Sequence, residues 1–144
     1  MTKIKICGIT NKADAINAAE LDVDMMGFVF YDKSKRYVTP AVAEDIINEL
    51  PPFMGRVGVF VNEKAEDVIR IAEDAGLDIL QFHGDETPEY CNYFKPKYKV
   101  IKAFRLKTRA DLKAVNDYDT DYYLFDSYKS NCVGGTGEGF DWAI

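Results

Sequence analysis

Six short apolar runs, recurring at intervals of roughly 20 to 30 residues, constrain this chain more than any other feature. They are Ile4-Lys5-Ile6-Cys7-Gly8, Met26-Gly27-Phe28-Val29-Phe30, Val57-Gly58-Val59-Phe60-Val61, Ile79-Leu80-Gln81-Phe82-His83, Val100-Ile101-Lys102-Ala103-Phe104 and Tyr122-Tyr123-Leu124-Phe125-Asp126. Each is too short for a buried helix and rich in β-branched or aromatic residues, so each reads as a strand. Val57 to Val61 is apolar throughout, as expected of a parallel strand covered on both faces.

The segments between the runs carry helix signals. Residues 11 to 21 are alanine-rich and read as the first helix. Thr39-Pro40 pairs an N-cap hydroxyl with a ring suited to the first helical position, and Val42, Ile46 and Leu50 then recur every fourth residue until Pro51-Pro52. Asn62 is placed to cap a third helix whose apolar face is Ala65, Val68, Ala72 and Ala75, with Gly76 to end it in a left-handed turn. Thr87-Pro88 repeats the cap. Thr108 with Asp111 has capping-box spacing ahead of Leu112 and Val115. Strand and helix thus alternate five times before a sixth strand, the rhythm of βαβ units around a parallel sheet. An open doubly wound sheet and a closed (β/α)8 barrel share that rhythm, and periodicity alone does not separate them.

At 144 residues and 47% hydrophobic content, the chain is expected to form a single domain, residues 1–144, with a sizeable core. Its formal charge of −6 argues against a surface that neutralises nucleic-acid phosphates or binds anionic membranes. No apolar segment reaches the ~20 residues of a membrane span, and the N-terminus lacks a signal-peptide pattern, so a cytoplasmic protein is expected. Cys7, Cys91 and Cys132 show no CxxC spacing, and His83 is the only histidine, so neither a disulfide framework nor a zinc site is indicated.

Parallel α/β folds place their chemistry at the C-terminal ends of the strands. Cys7 closes the first strand, Arg36 follows the second, Gln81 and His83 close the fourth on one face, and Asp126 closes the sixth. Each alone has a plain alternative: a small buried hydrophobe for Cys7, a loop brace for Asp126, a solvated charge for Arg36, a core histidine for His83. Gly134-Gly135-Thr136-Gly137 fits neither nucleotide-binding glycine pattern, but it can turn tightly and present N–H groups to an anion or carbonyl.

Taken together and in order, these motifs resemble the phosphoribosylanthranilate isomerases of tryptophan biosynthesis. The matching stretches are Lys5-Ile6-Cys7-Gly8-Ile9-Thr10, Gly27-Phe28-Val29-Phe30 leading to Ser34-Lys35-Arg36-Tyr37-Val38, Val57-Gly58-Val59-Phe60-Val61-Asn62, Gln81-Phe82-His83-Gly84-Asp85-Glu86, and Phe125-Asp126 with Gly134-Gly135-Thr136-Gly137 and Phe140-Asp141-Trp142. The resemblance implies a (β/α)8 barrel that converts N-(5-phosphoribosyl)anthranilate to its deoxyribulose phosphate isomer by an Amadori rearrangement, with no cofactor. It assigns Cys7 as general base and Asp126 as general acid, and it sets Arg36 near the anthranilate carboxylate. Gln81, His83, Gly134, Gly135, Thr136 and Gly137 become substrate-binding residues. Ring opening needs a proton on the ring oxygen and the isomerisation needs one removed from C2, which suits such a pair. An ordinary thiol (pKa ~8.5) must be poised for the first role, and an ordinary aspartic acid (~3.9) must be kept protonated for the second.

Lys35 stands where relatives of this kind commonly have proline, and Glu138-Gly139 replaces a Lys-Thr pair after the glycine run. A (β/α)8 barrel typically takes ~200 to 250 residues, so the chain is expected to supply about three-quarters of one: six strands and five to six helices, the sixth beginning at Asp141-Trp142. In such barrels the phosphate commonly sits after strands seven and eight. The expectation is therefore an acid/base pair without the usual phosphate clamp, in a chain that alone is inactive or slow. The competing expectation is a non-catalytic fragment that self-associates or pairs with a complementary fragment through open strand edges.

Overall fold

A computed structural model describes residues 2–106 and 108–127. The glycine run Gly134 to Gly137, Cys132, Glu138-Gly139 and the start of a sixth helix lie outside the described residues. All six expected strands form: β1 Lys5–Cys7, β2 Met25–Val29, β3 Gly55–Phe60, β4 Ile79–Phe82, β5 Lys99–Leu106 and β6 Tyr122–Ser127. They make one parallel sheet in sequence order, β1 to β6, with register pairs such as Cys7↔Gly27, Val59↔Gln81 and Arg105↔Asp126. Because every strand runs the same way, all their C-terminal ends lie along one edge.

Strand alternation divides the side chains between two faces. On one face Met26, Phe28, Leu80, Phe82 and Val100 are buried beneath the helices. Phe30 stacks on Phe60 at 5.4 Å between ring centroids, and Phe82 meets Phe94 at 5.1 Å, so a row of rings fills the space between sheet and helix layer. The other face is concave. It buries Val57, Ile79 and Ile101, with Met25 and Leu124 packed against them. The curl is strong enough that residues of β1 and β6 line the same cavity.

Four α-helices and one 3-10 helix connect the strands among the described residues: α1 Lys12–Glu20, α2 Pro40–Ile47, α3 Ala65–Ala75, α4 Pro88–Phe94 and the 3-10 helix Arg109–Asp117. Thr39 and Thr87 cap as the sequence suggests, accepting from the N–H groups of Val42 and Tyr90. α2 departs in detail. It ends at Ile47, and its buried face is Ala43, Ile46 and Ile47, while Val42 is 42% exposed. α3 ends at Gly76 in the left-handed region, as expected, but its N-cap is Lys64 rather than Asn62. Asn62 sits at φ 51° and its side-chain oxygen accepts from Asp85 N–H at 2.7 Å, so it braces the next loop instead. The fifth connector, Arg109–Asp117, is a 3-10 rather than an α-helix, and Leu112 and Val115 on it are only half-buried. Thr108 and Asp111 still form the expected capping box, Asp111 accepting from Thr108 N–H at 2.7 Å.

One ion pair lies fully inside the helix-facing layer. Lys102 and Glu86 side chains are 3% and 2% exposed and 3.1 Å apart. Lys102 Nζ also donates to the carbonyls of Gly84 (2.8 Å) and Ala103 (3.1 Å), and Glu86 accepts from the N–H groups of Asn62 (2.8 Å) and Gly84 (2.9 Å). Both charges are therefore saturated, and the knot ties the loops after β3 and β4 to strand β5. Removing one partner leaves a buried charge uncompensated. We expect Lys102→Met to lower unfolding free energy by about 3–5 kcal/mol in urea titrations. Lys102→Met/Glu86→Leu should recover only part of this, because the Asn62 and Gly84 amides lose their acceptor.

Candidate active site

The C-terminal edge of the concave face holds a cavity of about 310 Å³ lined by Lys5, Cys7, Arg36, Gln81, His83 and Asp126 among others. Every described residue nominated from the sequence thus lines it. Lys5 and Cys7 share the inner face of β1, and Gln81 and His83 lie two residues apart at the end of β4, so alternation aims all four the same way. Asp126 comes from β6 and Arg36 from the loop after β2. Val29, Val59 and Leu124 supply apolar walls. Lys5, Tyr31 and Ser34 were not nominated. Lys5 had a visible signal, a cation at an inward position of an apolar strand, two residues before Cys7.

Close backbone approaches make room for these groups. Gly27 pairs with Cys7 across the β1–β2 ladder, and a Cβ there would stand 2.8 Å from Cys7 Sγ, inside van der Waals contact. Gly8, at φ +86°, continues the chain beyond Cys7, and a Cβ on it would meet Arg36 Nη1 at 2.7 Å. Arg36 lies over that bare backbone and donates from Nη1 to the Cys7 carbonyl at 2.9 Å. Ser34 Oγ holds the turn by accepting from Arg36 N–H at 3.2 Å.

A hydrogen-bond chain crosses the cavity floor. Lys5 Nζ donates to Gln81 Oε1, Gln81 Nε2 lies 2.9 Å from His83 Nδ1, and His83 Nε2 lies 3.1 Å from Asp126 Oδ2. Burial lowers the affinity of both cations for their protons. For His83 desolvation outweighs the opposing pull of Asp126, with Lys102 and Lys5 adding to the lowering. For Lys5 desolvation outweighs the pull of Cys7. The imidazole is accordingly neutral at physiological pH. The second described cysteine serves as a contrast: Cys91 is fully buried, and desolvation raises its thiol to about 11.

Parallel strands with their reactive groups gathered at the C-terminal mouth of a curled sheet define the (β/α)-barrel class of enzymes. A thiol, a carboxyl, an imidazole and a guanidinium equip that mouth for proton transfer on an anionic substrate. Residues 4–144 match the family model for N-(5'-phosphoribosyl)anthranilate (PRA) isomerase. The chain is 49% identical to the enzyme of that name from Citrifermentans bemidjiense over 142 residues, which is 99% of this chain and 68% of the relative. It superimposes on the phosphoribosyl anthranilate isomerase of Thermotoga maritima with a TM-score of 0.89 at 42% identity, covering 99% of this chain and 69% of that one. A crystal structure of the isomerase in complex with reduced 1-(o-carboxyphenylamino)-1-deoxyribulose 5-phosphate matches with a TM-score of 0.84 at 43% identity, over 89% of this chain and 66% of that one. The chain belongs to the N-(5'-phosphoribosyl)anthranilate isomerase family and spans about two thirds of the length of these relatives. Among the described residues no helix is long and apolar enough to cross a membrane.

Two outcomes check the electrostatics. His83 should titrate below its ordinary ~6.5, so folded protein binds fewer protons than unfolded between the two values and stability falls on acidification through that window; an NMR titration of the imidazole reads the midpoint. Iodoacetamide should label Cys7 well before Cys91, as followed by peptide mass spectrometry.

Proposed function

We propose that in the isomerisation of N-(5'-phosphoribosyl)anthranilate Cys7 is the general base and Asp126 the general acid. The observation that supports this most is that both line one cavity from strands at opposite ends of the sheet order. In the first step Asp126 gives its proton to the ribose ring oxygen as the C1–O bond breaks, and the anthranilate nitrogen lone pair forms a C=N⁺ bond. In the second, Cys7 takes the proton from C2 and that electron pair neutralises the iminium, leaving an enolamine that tautomerises to the ketone. The substrate needs no external oxidant or reductant, since C1 is reduced as C2 is oxidised.

Arg36 presents a planar guanidinium anchored by the Cys7 carbonyl, which suits the anthranilate carboxylate. Gly134, Gly135, Thr136 and Gly137, which follow β6 in the sequence, are proposed as substrate-side residues. Residues 1–144 are proposed as a single unit carrying the acid/base half of the site, the phosphate being held by elements in the part of the relatives that this chain does not span. A cytoplasmic location suits this reading.

Cys7→Ser and Asp126→Asn should each lower kcat about 10²–10⁴-fold with little change in KM. Arg36→Met should act mainly on KM. Near-normal kcat in either of the first two would remove that residue from its role. Residues 1–144 alone should turn over slowly, because a held phosphate orients the reacting carbons; a fluorescence assay of product formation checks this.

Self-association is supported at the opposite end of the sheet. Phe53 is 98% exposed there, beside a cavity of about 550 Å³ lined in part by Met25, Met54, Ile79 and Tyr122. Lys3, Asp22 and Asp24 also line it, but most of its wall is apolar, and an exposed ring beside such a cavity suits a self-complementary patch for a two-fold dimer. Sedimentation velocity should show a dimer that Phe53→Lys converts to monomer; a monomeric parent at micromolar concentration would rule this out.

A further inference from the structure

The hydrogen-bond chain on the cavity floor has only one possible direction. An ammonium group donates and never accepts, so Lys5 Nζ must face the oxygen of the Gln81 amide. That places the amide NH₂ at His83, 2.9 Å from Nδ1, which must therefore be the unprotonated, accepting nitrogen. The imidazole proton is left on Nε2, and it donates to Asp126 Oδ2 at 3.1 Å. Rotating the amide by half a turn would set donor against donor at Lys5 and is excluded. Three side chains thus transmit a single polarity from β1 through β4 to β6.

We propose that Lys5 and Gln81 are positioning residues that hold His83 as the neutral Nε2–H tautomer and thereby place the labile proton of Asp126 on Oδ1. This rests on the reading of Asp126 as the general acid. With Oδ2 engaged as an acceptor, a proton on that oxygen would oppose the Nε2–H, so a protonated Asp126 carries its hydrogen on the other oxygen. The Gln81 donor also occupies the Nδ1 lone pair, which keeps His83 from becoming an imidazolium. An imidazolium beside Asp126 would pin it as a carboxylate and remove the acid. Burial works in the same direction at the imidazole, lowering the proton affinity of His83.

Exposure separates this role from substrate contact. Gln81 is 2% exposed, whereas the side chains of His83 and Asp126 are 12% and 22% exposed. Gln81 therefore acts through His83 rather than as a substrate ligand, and Lys5 is drawn into the site by the amide it orients.

His83 is the only histidine in the chain, so an imidazole ¹⁵N spectrum reports this residue without assignment. The parent protein is expected to show the Nε2–H tautomer. Gln81→Glu, equal in size, replaces the donor facing Nδ1 by an acceptor and should move the proton to Nδ1 or yield the imidazolium. Gln81→Met, which offers neither, should give a mixture. In the enzyme both should lower kcat by about tenfold or more with KM changed less than about twofold. An Nδ1–H tautomer in the parent, an unchanged tautomer in Gln81→Glu, or a switched tautomer with undiminished kcat would each overturn the proposal. Failure of the acid assignment is distinguishable, because it would appear as retained turnover in Asp126→Asn while the parent tautomer remained as expected.

Discussion

The parallel ladder in strict sequence order is the constraint on which the rest depends. Each strand delivers its C-terminal end to the same edge, and the ladder bonds continue past the strand ends: Gly8 N–H to Gly27 O at 2.8 Å, Phe30 N–H to Val59 O at 2.9 Å, His83 N–H to Phe60 O at 2.9 Å. Residues far apart in sequence thus acquire fixed relative heights. Since side chains alternate with period two, register also fixes which face they occupy. A slip of one residue in β4 would turn Gln81 and His83 into the helix layer and bring Leu80 and Phe82 to the cavity.

Within that frame the site uses local charge rather than overall charge. The chain is acidic, at −6, yet the cavity draws on Lys5 and Arg36 beside Asp126. Arg36 reaches the cavity because Gly8 has no side chain to block it. Lys5 and His83 are held partly out of water, where their ionised forms are disfavoured and their hydrogen-bond directions count for more. The Lys102–Glu86 pair lies on the other face of the sheet and serves a different end, securing the loops that follow β3 and β4 so that the strand-end groups keep their geometry.

Much of this was legible in the residues. The apolar runs located all six strands, and the two Thr-Pro caps located the starts of α2 and α4, because each signal is local: a cap hydroxyl and a proline act within a few residues of themselves. Cys7, Gln81, His83 and Asp126 were recoverable as strand-end residues and Arg36 as a residue of the loop after β2. What escaped were features set by partners distant in sequence. Asn62 has the composition of a helix cap, but its bond runs to Asp85, and no local pattern reports that. Val42 fits a four-residue spacing, yet the position of the sheet selects Ala43 and Ile47 for burial. Lys5 acquires its partner only in the fold, where β4 brings Gln81 alongside it.

In the proposed reaction one cavity presents Cys7 to C2 of the substrate and Asp126 to its ring oxygen. A crystal structure with the reduced ketose product analogue bound tests it most directly. C2 of the ligand is expected within reach of Cys7 Sγ, an oxygen of its sugar chain at hydrogen-bond distance from Asp126, and its aromatic carboxylate against Arg36. A ligand seated away from the ends of β1 and β6, or one whose reacting carbons contact neither Cys7 nor Asp126, would contradict it.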